Sequence, residues 1–142
     1  MEIRKIDENI SVAPQIALED IAEIAKLGFK TLVANRPDQE EPGQPAMADI
    51  EAEAKANGLN WVYMPVESGN ITDEDVDNFA PMIRDAEKPV FAFCRSGTRC
   101  TVLWALSNAR EHQPEELLSK AQNAGYDISG LVPRMMQQAQ KP

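Results

Sequence analysis

One seven-residue segment of the chain brings together two cysteines, two arginines and two hydroxyl side chains. It follows the apolar run Pro89–Phe93 and precedes a helical pattern, so we expect a tight loop between a buried strand and a helix. Gly97 lets the backbone curl without steric cost. The N–H groups of such a loop and of the next helix form a concave anion-binding site, to which hydroxyl and guanidinium groups add donors. The residues predicted to carry chemistry here are Cys94, Arg95, Ser96, Gly97, Thr98, Arg99 and Cys100.

Cys94, the first residue of this segment, is the predicted catalytic nucleophile. A helix N-terminus and neighbouring arginines lower the pKa of a thiol from about 8.5 to between roughly 3.5 and 7.5. Such a cysteine is a thiolate at neutral pH and therefore a competent nucleophile. The alternative is an inert cysteine buried at the end of a strand, since free cysteine is among the most buried residue types.

Four residues are candidates for supporting roles, each with a plainer alternative. Asn35 is a possible hydrogen-bond partner of the Cys94 loop and Arg36 a possible extra guanidinium, unless both simply form a surface turn. Glu67 is a candidate general acid, although a solvated loop carboxylate is the commoner role for such a residue. Cys100 is either a resolving thiol for an oxidised or persulfidated Cys94 or a small residue packed in the first helical turn.

Hydrophobic periodicity predicts helices that alternate with short apolar strands. This alternation predicts an α/β fold with a mainly parallel central sheet flanked by helices. Ligands bind at the carboxyl ends of the strands in such sheets, so the loops after Ala34, Val66 and Phe93 should meet. The predicted helices cover residues 19–27, 46–56, 72–85, 100–110, 114–125 and 131–140, and the predicted strands cover residues 29–34, 61–66 and 89–93.

Four motifs in order along residues 2–110 resemble a known family. They are Asn35-Arg36-Pro37-Asp38, Pro65-Val66, the loop from Cys94 to Arg99, and Leu103-Trp104-Ala105-Leu106. Together they are similar to the bacterial phosphatase-like domain also found fused to β-lactamase-fold hydrolases, which is related in fold to dual-specificity protein tyrosine phosphatases. The resemblance implies a phosphatase-type fold and a covalent intermediate on Cys94.

The segment departs from the tyrosine phosphatase pattern in three places. Those enzymes place arginine after five intervening residues, whereas Arg99 follows Cys94 after four and Cys100 holds the expected position. Phe93 stands where histidine is common, and the loop after Pro65-Val66 offers Glu67 rather than an aspartate. The four-residue spacing instead resembles the active loop of rhodanese-type sulfurtransferases.

Three functions therefore remain open from the residues. The whole-chain resemblance favours hydrolysis of a phosphate monoester through a covalent Cys94 intermediate. The loop spacing favours rhodanese-type sulfur transfer through a Cys94 persulfide. The third is a non-catalytic anion-binding module that has kept the loop and lost the acid.

The composition of the chain limits the kinds of molecule that it is expected to bind. The 142 residues suit a single domain spanning residues 1–142, and the formal net charge of -9 disfavours nucleic acid. The sequence has no apolar run long enough to span a membrane and no signal peptide pattern, so we expect a cytoplasmic protein. With a single histidine and two cysteines, neither a metal site nor a cofactor is expected. The expected partner is a small anionic substrate or a phosphorylated or persulfidated molecule, and the oligomeric state stays open.

Overall fold

The computed structural model describes residues 1–141. A five-stranded sheet in the order β1-β2-β5-β3-β4 forms its centre. Strands β2, β5, β3 and β4 run parallel, and only β1 is antiparallel to its neighbour. The strands are β1 (Arg4–Lys5), β2 (Ile10–Ala13), β3 (Thr31–Ala34), β4 (Asn60–Tyr63) and β5 (Val90–Phe93). The expected α/β fold with a mainly parallel sheet is confirmed.

Helices cover both faces of the sheet, as side-chain alternation along the strands requires. Phe91 and Phe93 pack toward α1 and α2, whereas Val90 and Ala92 pack toward the remaining helices. The helices are α1 (Asp20–Lys26), α2 (Met47–Ala56), α3 (Asp73–Asp85), α4 (Thr98–Ser107), α5 (Pro114–Asn123) and α6 (Val132–Ala139). None of the helices within residues 1–141 has the length and apolar character needed to cross a bilayer.

Two strands were not predicted, and two predicted elements have clearly different bounds. No local pattern indicated β1 and β2, yet β2 lies next to the central strand β5. Strand β4 ends at Tyr63, before the expected Val66, since Pro65 has no N–H to donate to the sheet. Helix α4 begins at Thr98, two residues before the expected Cys100, so the last three residues of the Cys94–Cys100 segment belong to the first turn of the helix.

Strand register brings the candidate residues to one edge of the sheet. Ala13 and Ala34 both pair with Phe93, the last residue of β5. The segments that follow these residues therefore leave the sheet side by side. They begin with Pro14, Asn35 and Cys94.

Candidate functional site

The segment after β5 is a tight loop that leads into α4. Gly97 is the N-cap of α4 and has φ 92°, which a residue with a side chain rarely adopts. Two loop carbonyls are bound by other segments, since Gln15 N donates to Arg95 O at 3.2 Å and Tyr126 Oη donates to Ser96 O at 2.9 Å. The Gly97 carbonyl accepts from Thr101 N (3.1 Å) and Thr101 Oγ1 (2.9 Å) within the first turn of α4. With these carbonyls engaged, N–H groups of the loop are left to face the Cys94 sulfur.

Tyr126 supports this loop from the segment after α5. A Cβ atom on Gly97 would collide with the Tyr126 hydroxyl, so glycine is required both by φ and by space. The guanidinium of Arg4 lies 5.6 Å from the centre of the tyrosine ring. Burial raises the pKa of Tyr126 to about 12, so the hydroxyl remains a hydrogen-bond donor at physiological pH.

The Cys94 sulfur lies within this ring of donors. The Cys100 thiol donates a hydrogen bond to it, and the N–H groups of Cys100, Ser96 and Gly97 add further donors. The Gly97 N–H is 3.0 Å from the sulfur. These donors outweigh the effect of burial and lower the pKa of Cys94 to about 5, which makes it a thiolate at neutral pH.

Two adjacent carboxylates bind the arginines around the loop. Glu40 accepts from Arg99 Nη1 and Nη2 at 2.8 Å each, and from Arg36 Nε at 2.7 Å. Glu41 accepts from Arg36 Nη2 and Arg95 Nε, both at 2.8 Å. Arg99 and then Arg36 hold the pKa of Glu40 at about 2, against the opposing effect of its burial. The arginines are therefore fixed in place by the loop that follows β3.

These features agree with a comparison to known families. The family model of the beta-lactamase hydrolase-like protein, phosphatase-like domain, matches residues 2–111. The chain belongs to this phosphatase-like domain family. The family resemblance carried by the sequence motifs is thereby confirmed.

Relatives of this phosphatase-like domain extend the comparison. The beta-lactamase hydrolase-like protein of Agrobacterium fabrum is 33% identical over 130 residues, which cover 90% of this chain and 30% of that relative. The chain thus spans about a third of the length of the curated relatives it matches. The crystal structure of a candidate phosphatase from Neisseria meningitidis is 38% identical, with a TM-score of 0.86, and covers 97% of this chain and 99% of that one. Tk-PTP, at 16% identity, has a TM-score of 0.69 over 96% of this chain and 95% of its own, and it shares the fold.

The supporting residues predicted for the phosphatase-like domain have other contacts. Asn35 donates from Nδ2 to Met64 O at 2.8 Å and from its backbone N to the O of Phe93, the last residue of β5, at 2.9 Å. Arg36 is buried and binds Glu40, Glu41 and Gln15 rather than the loop. Cys100, by contrast, is buried directly against the Cys94 sulfur.

The two acidic residues considered as general acids, Glu67 and Asp73, are exposed, and Asp73 is already paired. Glu67 is exposed at the start of a tight turn, in which Asn70 N donates to Glu67 O at 3.1 Å. Asp73 binds Lys141 at 3.1 Å and Arg134 at 3.2 Å, and these contacts lower its pKa. Asp73 is therefore stabilised as a carboxylate by its cationic partners, which disfavours the protonated form that a general acid requires.

A cleft of about 590 Å³ opens beside the active loop. Its walls come from residues 68–71, from the active loop with the start of α4, and from Leu131 and Arg134. Cys94 itself is buried and is not among the residues that line this cleft. Within residues 1–141, no three His, Cys, Asp or Glu side chains come together as a metal site.

Sequence reasoning missed the residues that hold this site from outside. Glu40 and Glu41 fix the arginines, and Tyr126 fixes the Ser96 peptide. In the sequence, Glu40 and Glu41 are two of several acids in a polar loop, and nothing local indicated their partners. Nothing local to Tyr126 indicated its contact, which spans 30 residues along the chain.

Proposed function

We propose that this domain is a cysteine-dependent hydrolase that cleaves phosphate monoesters through a covalent intermediate on Cys94. The observation that carries the proposal is the sulfur of Cys94, which has a pKa of about 5 and accepts from the N–H groups of a loop whose Arg95 and Ser96 carbonyls are bound by Gln15 and Tyr126. Membership of a phosphatase-like family supports the same reaction class.

Two displacements at phosphorus complete the proposed reaction. The Cys94 thiolate attacks the phosphorus atom, an S–P bond forms, and the P–O bond to the leaving group breaks with its electron pair on that oxygen. Water then attacks the phosphorus atom, the S–P bond breaks, and inorganic phosphate leaves with the thiolate restored. Loop N–H groups would stabilise the charge on the equatorial oxygens in both steps.

The positions of the acids restrict the substrate. An alkoxide leaving group needs a proton, whereas a nitrophenolate leaves without one. Because Glu67 is exposed and Asp73 is engaged by α6, we expect efficient turnover only with aryl esters. Arg99 is bound to Glu40, so it is less able to reorient toward the negative charge that develops on the phosphoryl group. The loss of one charge-assisted hydrogen bond, which contributes about 1.5–3 kcal/mol, slows the reaction roughly 10- to 150-fold.

Sulfur transfer is the second candidate, and the contact between the two thiols favours it. Cys94 would attack the outer sulfur of thiosulfate, break the S–S bond and release sulfite, which leaves a Cys94 persulfide. A thiolate acceptor would then take the terminal sulfur and restore the Cys94 thiolate. Neither step needs an acid for an alkoxide, and Cys100 lies beside the sulfur as a neighbouring thiol.

One comparison separates these functions from an anion-binding module. The specificity constant kcat/KM is measured for 4-nitrophenyl phosphate and for thiosulfate with a thiol acceptor, on one preparation, with Cys94→Ser as the control. The hydrolase proposal requires phosphate release that Cys94→Ser abolishes. Faster sulfur transfer than phosphate release would instead make sulfur transfer the main activity. Binding of inorganic phosphate with neither turnover would leave the anion-binding module.

A further inference from the structure

Arginine side chains line the cleft beside the active loop, although the whole chain carries a formal net charge of -9. Among residues 1–141, three arginines and no carboxylate line the cleft, but Arg95 is paired with Glu41 and Arg99 with Glu40, so uncompensated positive charge remains only on the α6 side. Arg95 and Arg99 belong to the active loop, and Arg134 belongs to α6. On an acidic chain, a positively charged surface requires cationic side chains to lie close together. Such a surface raises the local concentration of anions.

Arg134 has donors to spare. It gives one hydrogen bond within residues 1–141, from Nη2 to Asp73 Oδ1 at 3.2 Å, and 33% of its side chain is exposed. A guanidinium carries five N–H donors. Asp73 also accepts from Lys141 at 3.1 Å and from Gln138 at 3.2 Å, so its single negative charge is shared between two cations. The α6 wall therefore keeps a net positive charge.

The space between the arginines suits the organic part of a small ligand. Ile71, Val102 and Leu131 line the cleft, and all three are partly buried apolar side chains of the main core. The cleft volume of about 590 Å³ is of the size that small-molecule sites have. An apolar wall between the active loop and Arg134 fits a ligand with an anionic group at each end.

We propose that this cleft selects substrates with two anionic groups, one at the Cys94 loop and the second at Arg134. The inference rests on the proposed function, because the first anionic group is the phosphoryl group that Cys94 would attack. Arg134 is then a specificity-determining residue. It binds the second phosphate or carboxylate of the substrate and takes no part in the bond changes at phosphorus.

Binding of phosphonates tests this without turnover, because the C–P bond is not hydrolysed. Calorimetry on the intact chain compares hexylphosphonate with propane-, hexane- and octane-diphosphonates, whose three lengths cover the reach of the flexible arginine. We expect the best diphosphonate to bind roughly tenfold more tightly than the monophosphonate, as one added charge-assisted contact implies. In Arg134→Gln, the ratio of the affinity for the best diphosphonate to the affinity for the monophosphonate should fall close to one. Arg84→Gln removes the same charge from a surface arginine paired with Asp85 and should preserve the preference.

Arg134→Lys separates charge from helix packing and should retain more of the preference than Arg134→Gln. Equal affinities for mono- and diphosphonates, a preference that survives Arg134→Gln, or equal loss in the Lys and Gln variants would each overturn the second-anion site. If neither probe binds, the active loop takes no phosphoryl group and the proposed function fails with it. A diphosphonate preference in a chain that turns over no phosphate ester would contradict the hydrolase alone.

Discussion

The Cys100 thiol donates a hydrogen bond to the sulfur of Cys94, and this contact makes the two thiols differ sharply in acidity. The donated bond is the main cause that lowers the pKa of Cys94 to about 5. Burial is the main cause that raises the pKa of Cys100 well above its usual range, and the neighbouring thiolate adds to it. The contact thus favours the thiolate form of Cys94, the proposed nucleophile, and the protonated form of Cys100.

Removal of the Cys100 donor should raise the pKa of Cys94. Alkylation by iodoacetamide, measured against pH, should show a midpoint near 5 in the unmodified chain and in Cys100→Ser, which keeps a donor. The midpoint should be higher in Cys100→Ala, which has none. In Cys94→Ser, the remaining Cys100 should react only at alkaline pH. Identical midpoints in the Ser and Ala variants would show that the thiol contact does not set the acidity.

Gly97→Ala should lower the free energy of unfolding by more than the cost of placing alanine in a left-handed backbone conformation. An alanine in left-handed backbone costs about 1–2 kcal/mol, and here its Cβ also collides with the Tyr126 hydroxyl. Gly58→Ala is the matched control, because Gly58 has φ 78° and open space around it. Urea denaturation should show a larger loss for Gly97→Ala, and Tyr126→Phe in the same chain should recover part of it. Equal losses at the two glycines would exclude the collision.

Glu40→Gln should destabilise the fold, because Arg36 and Arg99 are buried and share its carboxylate. Breaking a buried ion pair costs about 3–5 kcal/mol, and the partial exposure of Glu40 reduces our expectation to about 2 kcal/mol of unfolding free energy. Glu51→Gln, which breaks the exposed pair with Lys55, should change it by less than about 0.5 kcal/mol.

The stabilisation from Glu40 also has a defined pH dependence. Because the folded-state pKa of Glu40 is lowered to about 2, its contribution is present above the unfolded value of about 4.3 and is lost as pH falls toward 2. Denaturation at pH 6 and pH 3 should therefore show a smaller difference between the unmodified chain and Glu40→Gln at the lower pH. A difference that is independent of pH would mean that the charge of Glu40 is not what stabilises the loop.

Tyr126 should make the fold sensitive to alkaline pH. Its folded-state pKa is raised to about 12, so its contribution is complete below about pH 10 and is lost as pH rises toward 12. Between pH 9 and pH 11 the unmodified chain should lose about 1 kcal/mol of unfolding free energy more than Tyr126→Phe does. The comparison with Tyr126→Phe cancels the titration of lysines. Parallel pH profiles would contradict burial of this hydroxyl.

The strand, loop and helix that form the active loop could be predicted because they are local in sequence. The apolar strand Val90–Phe93, the turn at Gly97 and the helix after it determine the loop through short-range preferences. Strand β2 has the same length and burial as β5, but Ser11 interrupts its apolar residues, so it lacks the continuous apolar run that indicates β5. Its position beside β5 is decided by tertiary packing alone.

The outer support of the site could not be predicted for the same physical reason. Glu40 reaches Arg99 across 59 residues, and in the sequence it is one of several acids in a polar loop. Arg134 reaches Asp73 across 61 residues. Such long-range contacts depend on how α2, α4 and α6 pack, which no local pattern encodes.

The proposed nucleophile is tested most directly by intact-protein mass spectrometry after rapid acid quench. The chain is mixed with 4-nitrophenyl phosphate, quenched within the first turnover, and digested to locate any phosphoryl group. We expect the mass of one phosphoryl group on the peptide that contains Cys94, its presence in Cys100→Ser, and its absence in Cys94→Ser together with loss of nitrophenol release. Nitrophenol release that persists in Cys94→Ser, with no adduct on Cys94 in the unmodified chain, would contradict a covalent Cys94 intermediate.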